Sequence, residues 1–387
     1  MSGSTNPATP GTPRLSRRDW VVMPALAFAT VLAIAIVNQL LVWNLFTFSA
    51  TFGEDCLRSD PVARVRGIPN SVCHERVAEG EAVDYVFNSD GYRNAELAPK
   101  VPGVYRIAIL GSSVAAGFRV PQPDTLAARL PAELASRTGR QFEVLNLSLP
   151  GRTPYAVEGI FDEFLATKPD MILWVLTPFD IQTTIRPAAP AESPATPAVN
   201  QPAGLRAQID HIKGTVRAAI VKAIGNPNSS VLLRNLLYRS PTQFLKASLA
   251  APDSEVGFLK RDLSEEWQRR LAVFRETYAD AARRAQMAGV PLVSVLAPDR
   301  AQATLIALRQ WPENLDPYEL NAELRAAVTE GGGVFIDILP DYADVLNAHD
   351  GYFPVDGHPN SAGHATLARF IAQDLVGDGV IRAAQGE

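Results

Sequence analysis

A chain of 387 residues can hold one large domain or two modest ones. Hydrophobic residues make up 47% of it and charged residues 20%, which suits a globular protein carrying an added apolar segment. The formal net charge is −5 and no long basic run follows the N-terminus, so nucleic acid is excluded as the expected partner.

The first thirteen residues are mostly Ser, Gly, Thr and Pro, with little to bury, and residues 1–19 are expected to form a disordered cytoplasmic tail. Arg14, Arg17 and Arg18 precede an uncharged run from Trp20 to Val37. Asn38 and Gln39 interrupt that run, and Leu40 to Phe48 resumes it. Residues 20–48 are long enough to cross a bilayer core of roughly 30 Å as a helix, with Trp20 and Trp43 at interfacial positions. A cleaved signal peptide would have a shorter apolar core and a small-residue site after it, so a retained anchor is the favoured reading. The arginines before the span and Glu54 and Asp55 after it place the tail inside and the rest outside. The expected location is a bacterial inner membrane, crossed once, with the remaining domain periplasmic.

Residues 49–84 are expected to be an extracytoplasmic linker. The two cysteines, Cys56 and Cys73, lie here on the oxidising side and are expected to pair. Metal binding is the weaker reading, because His74 is the only further soft ligand nearby and a closed site needs four. Asn88-Ser89-Asp90-Gly91 is strong turn chemistry.

From Tyr105 the pattern becomes regular. Tyr105–Leu110 is a buried strand ending in Gly111-Ser112-Ser113. Asp124–Arg137 follows as a helix with Asp124 as its N-cap, then a strand over Phe142–Leu147, a helix over Tyr155–Thr167 and a strand over Met171–Leu176. This alternation predicts an α/β fold with right-handed crossovers and a mainly parallel sheet covered on both faces. Residues 182–262 read as a helical insertion: a Pro- and Ala-rich loop, then helices over Leu205–Ile224 and Val231–Leu249. The second carries Leu232, Leu233, Leu236, Leu237 and Phe244 on one face. Packing against the sheet domain is the favoured role for that face, and a lid or membrane-facing helix is the alternative. A long helix over Ser264–Ala288, a strand over Pro291–Leu296, a helix over Asp316–Thr329, a fifth strand over Gly333–Ile338 and a helix over Ser361–Leu375 complete the domain.

Chemistry is expected where polar residues end a strand of such a sheet. Gly111-Ser112-Ser113 matches neither a phosphate loop, nor a dinucleotide fingerprint, nor the Gly-x-Ser-x-Gly elbow, since Ala115 stands where the second Gly would be. Two serines there offer a nucleophile, which needs a histidine base oriented by a carboxylate. Of five histidines, His358 is the best placed, in a Gly/Pro-rich loop before the last helix with Asp350 and Asp356 close by. His364 falls inside that helix and reads as structural.

These segments together resemble the SGNH (GDSL-type) hydrolases over residues 85–380, and most closely their membrane-anchored bacterial members. Gly111-Ser112-Ser113-Val-Ala-Ala-Gly117 is similar to the first block of that family, which makes Ser113 the nucleophile. Asn146-Leu-Ser-Leu-Pro-Gly151 is similar to the second, whose glycine donates a backbone N–H to the oxyanion. Asp356-Gly-His358 is similar to the last, where His358 is the base and Asp356 its orienter, and Asn88-x-x-Gly91-Tyr92-Arg93 matches a segment of the anchored members. The implied fold is a flavodoxin-like three-layer sandwich with a five-stranded sheet. The implied activity is that of a serine esterase acting through an acyl-enzyme, with no cofactor and no metal, on O-acyl esters of cell-envelope or secreted glycans.

The chain departs from the family at three points. Ser112 replaces the Asp of the first block; Asp356 precedes His358 by two residues rather than three, which keeps Asp350 as a reserve acid; and Phe179 stands where the third block supplies an Asn donor. The oxyanion hole is then left to the N–H groups of Ser113 and Gly151, with supporting roles for Asn146, Thr177 and Asp180. An O-acyltransferase on the same glycans, or a non-catalytic scaffold or glycan-binding member, are the alternatives that this departure keeps open. The topology has its own test: a reporter fused after residue 387 is expected to be active outside the cytoplasm, and cytoplasmic activity rejects the orientation.

Overall fold

The computed structural model describes residues 56–76, 79–184 and 234–383, with scattered helical positions between 22 and 36. The chain divides into two units, one of Met1–Thr47 with Asn200–Ser230 and one of Phe48–Val199 with Val231–Glu387. The first lies mostly outside the described residues. So do most of the expected span at 20–48 and the whole expected helix at 205–224. Among the described residues, no helix is long and apolar enough to cross a membrane.

The second unit is built on five strands: β5 (Tyr105–Gly111), β6 (Phe142–Asn146), β7 (Met171–Leu176), β8 (Leu292–Leu296) and β9 (Val334–Ile336). They lie in the order β6-β5-β7-β8-β9 and every pairing is parallel. The sequence reason is the absence of alternation: β7 reads Met-Ile-Leu-Trp-Val-Leu and is buried at all its positions, as only a strand covered on both faces can be. The expected α/β sheet is therefore present. On one side, the helix Leu126–Thr138 packs against the last helix, Ser361–Gly377. On the other, the helix Glu265–Met287 packs against Glu319–Glu330 and the short helix Pro154–Gly159. Trp174 stacks on Tyr278 at 5.6 Å in the core between them.

Several expected boundaries move for local reasons. Thr125, not Asp124, caps the helix Leu126–Thr138, its hydroxyl accepting from Ala128 N–H, while Asp124 closes a 3₁₀ turn and pairs with Arg129. The helix expected over 155–167 is two, Pro154–Gly159 and Phe161–Ala166, broken at Ile160 (φ −114°, ψ 16°). The helix expected over 231–249 breaks at Ser240, because Pro241 holds the residue before it in extended backbone, and resumes as Pro241–Ser248. There Phe244, Leu245 and Leu249 pack on the main core while Leu236 and Leu237 stay exposed. A helix over Arg300–Leu308, capped by Asp299, was not expected from the sequence.

The largest correction concerns the presumed linker. From residue 57 it folds into two antiparallel hairpins, β1 (Leu57–Asp60) with β2 (Arg64–Gly67) and β3 (Val72–Arg76) with β4 (Ala82–Val86). Both strands of the second pair alternate exposed and buried residues, so Cys73 and Glu75 face inward with Val83 and Tyr85. Cys56 and Cys73 form a disulfide at the centre of a small core that also holds Phe87 and Leu149.

A module this small has little other core to hold it, which makes the bridge its main tether. Replacing both cysteines by serine should lower the stability of the full-length protein by about 3 kcal/mol, the loop-closure value for a ring of this size. An unchanged denaturation midpoint would show that packing alone holds the hairpins.

Candidate active site

Strand β5 ends at Gly111, whose φ of +152° is open only to glycine. A Cβ there would lie 2.5 Å from the Val175 carbonyl and 2.7 Å from the Ala115 side chain. The chain can therefore turn sharply into the one-turn helix Ser113–Ala116, which Gly117 ends in the left-handed region. Ser113 is the first residue of that helix, so its N–H has no acceptor in its own turn. Ser112 is buried beside it.

The second segment leaves β6 and is pinned back on β5, with Leu147 N–H and the Ser148 hydroxyl both donating to the Ile109 carbonyl. Gly151, at φ +77°, brings its backbone to the same cleft as Ser113. Among the described residues no acceptor meets its N–H. Asn146 sits under the segment rather than in the cleft. Its side-chain carbonyl accepts from Ser148 N–H and its amide donates to the Ala116 carbonyl, so it shapes the loop and does not face a substrate.

The third segment is the loop before the last helix. Phe353 N–H donates to the His358 carbonyl, Gly357 N–H to the Phe353 carbonyl, and Asn360 caps the helix that follows. This tight loop brings His358 Nε2 to 2.7 Å from Ser113 Oγ and its Nδ1 to 2.6 Å from Asp356 Oδ1. Burial pushes the Asp356 carboxyl up, but hydrogen bonding and charge from His358, together with Arg119, outweigh it and hold the carboxyl below the ordinary range. The fold therefore gains from the Asp356 carboxylate at neutral pH and loses that gain as pH falls through the lowered value. Asp350, the reserve acid, lies beside His349 instead and is mostly exposed.

Thr177 and Asp180 also take a different role from the expected one. They form a capping box on the short helix Pro178–Gln182: Thr177 donates both its N–H and its hydroxyl to Asp180 Oδ2 at 2.7 Å, and Asp180 N–H donates back. Burial pushes the Asp180 carboxyl up to about 6, against the pull of the Thr177 and Ser112 hydroxyls. Thr177 lines the cleft, yet its single O–H is committed, so it brings no free donor to an oxyanion. Phe179, on the same helix, lines the cleft and is half exposed.

The cleft around Ser113 has a volume of ≈ 770 Å³. One wall is the later part of the insertion, with Tyr238, Phe244, Ala247 and Ala251, so the face that packs on the domain also borders the site. Arg300 ties this wall down, donating to the Tyr238 carbonyl and the Pro354 carbonyl with its guanidinium 3.9 Å from the Phe244 ring. Sequence reading missed Arg300, Arg119, Glu75 and Glu79. The cap signal at Asp299 and the alternation at 72–76 and 82–86 were the available clues; nothing in the spacing pointed to Arg119.

Known proteins resemble this chain. The model of the GDSL-like lipase/acylhydrolase family matches residues 109–317. Among solved structures, a lipase/acylhydrolase from Enterococcus faecalis is 15% identical, with 73% of this chain and 100% of that chain covered and a TM-score of 0.38. A Geobacillus acetyl-xylooligosaccharide esterase is 12% identical, with 73% and 97% covered and a TM-score of 0.37. The psychrotrophic esterase EstA from Pseudoalteromonas is 11% identical, with 70% and 96% covered and a TM-score of 0.36. No curated protein matches the sequence.

The geometry sets an ordering among variants. Ser113→Ala and His358→Ala should each abolish hydrolysis of a short acyl ester without unfolding the protein, whereas Asp356→Asn should leave a measurable remnant after a fall of about 10⁴ in kcat. Asp350→Asn should stay near wild type in the same assay; if it is the more damaging change, the acid has been misassigned.

Proposed function

Because the chain belongs to the GDSL-like lipase/acylhydrolase family and is an ester hydrolase of the SGNH type, we propose that Ser113, His358 and Asp356 carry its reaction. His358 takes the proton of Ser113 as its Oγ attacks the ester carbonyl, and the N–H groups of Ser113 and Gly151 receive the developing oxyanion. Collapse expels the alcohol, protonated by His358, and leaves an acyl-enzyme that water then resolves. The observation that carries this reading is the 2.7 Å contact of Ser113 Oγ with His358 Nε2, beside two N–H groups without acceptors among the described residues.

The substrate class in this reading is an O-acylated glycan of the cell envelope or of secreted material. What supports it is the cleft itself: aromatic faces at Phe179 and Tyr238 stand among Gln182, Ser248 and Glu255, and a sugar ring is held by such a mixture of flat apolar surface and hydrogen-bonding groups. We further propose that residues 20–48 anchor the protein in the inner membrane with the domain outside. The uncharged run from Trp20 to Val37 supports this, as do the helical, exposed Met23, Leu26 and Phe28 within it. Transfer of the acyl group to a sugar hydroxyl instead of water uses the same acyl-enzyme, and the two-donor oxyanion hole is common to both.

The test has two stages. A fluorophosphonate probe should label Ser113 in the wild type and not in Ser113→Ala; absence of labelling in the folded wild type rejects the acyl-enzyme. Product analysis with O-acetylated glycan, with and without an acceptor sugar, then separates hydrolysis from transfer. A further expectation concerns Phe179, whose ring cannot donate to an oxyanion. Phe179→Asn should raise kcat with little change in KM, by up to the order of 10²-fold if the amide reaches within about 3 Å of the oxyanion. A fall in activity confined to the glycan substrate would instead assign the ring to sugar binding.

A further inference from the structure

The hairpin module, expected as a linker, reaches the site in three places. Phe118 packs on its core, and the Phe118 ring meets His358 edge-on at 5.1 Å. Leu149, two residues before Gly151, is part of that same core. Glu79, between β3 and β4, accepts the backbone N–H groups of Val355 at 2.7 Å and Asp356 at 2.8 Å.

A chain of alternating charge runs through these contacts. Asp356 Oδ1 faces His358, and Asp356 Oδ2 accepts from the Arg119 guanidinium. Arg119 Nε donates to Glu75 Oε1 at 3.1 Å, and Glu75 Oε2 accepts from the Tyr85 hydroxyl at 2.7 Å. Tyr85 in turn accepts from Arg119 N–H at 2.7 Å, so the residue is gripped by backbone and side chain together. The Glu75 side chain is 5% exposed, the Asp356 side chain 16% and the Arg119 side chain 22%, so solvent screens these charges only in part. Among the described residues, other ionisable groups nearby are few. Glu79 faces Asp356 and Arg119, Arg93 stands over the Tyr85 ring near Glu75, and His364, kept neutral by burial, lies near His358.

We propose that Arg119, oriented by Glu75, is a positioning residue of the site: it fixes the carboxylate of Asp356 toward His358 and offsets part of the negative charge that His358 feels, so the disulfide-pinned module is part of the active site. The inference rests on the reading of Ser113, His358 and Asp356 given above. Its consequence has a sign. Without the guanidinium, the full charge of Asp356 acts on His358, which then keeps its proton to higher pH. Without the Glu75 charge, Arg119 acts undivided on Asp356, and the effect reverses.

The experiment is the pH profile of kcat/KM for p-nitrophenyl acetate, measured on the full-length detergent-extracted protein. Arg119→Met should lower kcat on the order of tenfold with KM little changed, and should move the acid limb up by about half a pH unit. Glu75→Gln, isosteric and therefore the safer fold, should move the limb down. Arg119→Lys should return the limb toward wild type and recover part of kcat, as charge without the fork allows. Limbs that coincide with wild type in folded Arg119→Met and Glu75→Gln overturn the inference, as does a limb that moves the same way in both. If Arg119→Met does not fold, Glu75→Gln alone decides by the same criterion. Full activity in Ser113→Ala takes down the reading of the site and this inference with it, whereas an inactive Ser113→Ala with unmoved limbs takes down this inference alone.

Discussion

The site depends on the abrupt end of β5. A parallel strand buried on both faces must leave the sheet at its C-terminal edge, and here it leaves through a glycine pressed against the neighbouring strand's carbonyl. Any side chain at Gly111 would push β5 from β7 or Ser113 from its place, so the position of Ser113 is fixed by the central pairing of the sheet. Gly151 and the loop carrying His358 come to the same edge from other parts of the chain.

Buried cations then hold the irregular backbone around that edge. Arg93 donates to the carbonyls of Gly117 and Val120, the stretch that returns from the helix of Ser113, and Arg152 donates to the Leu147 carbonyl below Gly151. Buried loop carbonyls need donors, and a guanidinium supplies several in a fixed fork. The burial has an electrostatic cost, seen in Arg93, whose guanidinium burial pulls down to about 10. The fold bears that cost where loops must stay rigid for chemistry. The Asn88 side-chain oxygen Oδ1 meanwhile accepts the N–H groups of Asp90 and Tyr92, which sets Arg93 at the right point of the turn.

Much of this was legible in the sequence because the signals are local. The five sheet strands are short apolar runs between turn residues; Ser113 and Gly151 follow the ends of β5 and β6, and the Asp356–His358 pair stands just before the last helix. Asp356 and His358 are two residues apart, so the bond between them is written in one short loop. The hairpins of 57–86 were not read because each strand is only four or five residues long and carries charge; their small core is completed by Leu149 from elsewhere. Thr177 and Asp180 were assigned to the site from the block they resemble, whereas three-residue spacing at a helix start is equally the pattern of a capping box, and that local use prevailed. Arg119 has no sequence signature at all. Its meaning comes from partners 44 and 237 residues away, and from a backbone in the left-handed region (φ 62°) that no residue preference announces.

That same separation bears on when the protein becomes competent during its synthesis. Glu79 meets the backbone of Asp356 across 277 residues, two residues before His358. Contacts so distant are slow to form, because the closure entropy comes due before the contact returns anything. A growing chain can hold β5, β6 and β7 with Ser113 already in its turn, yet have no imidazole to activate it. On the proposed mechanism, reactivity therefore appears only after residue 358 has emerged and docked on a module made long before.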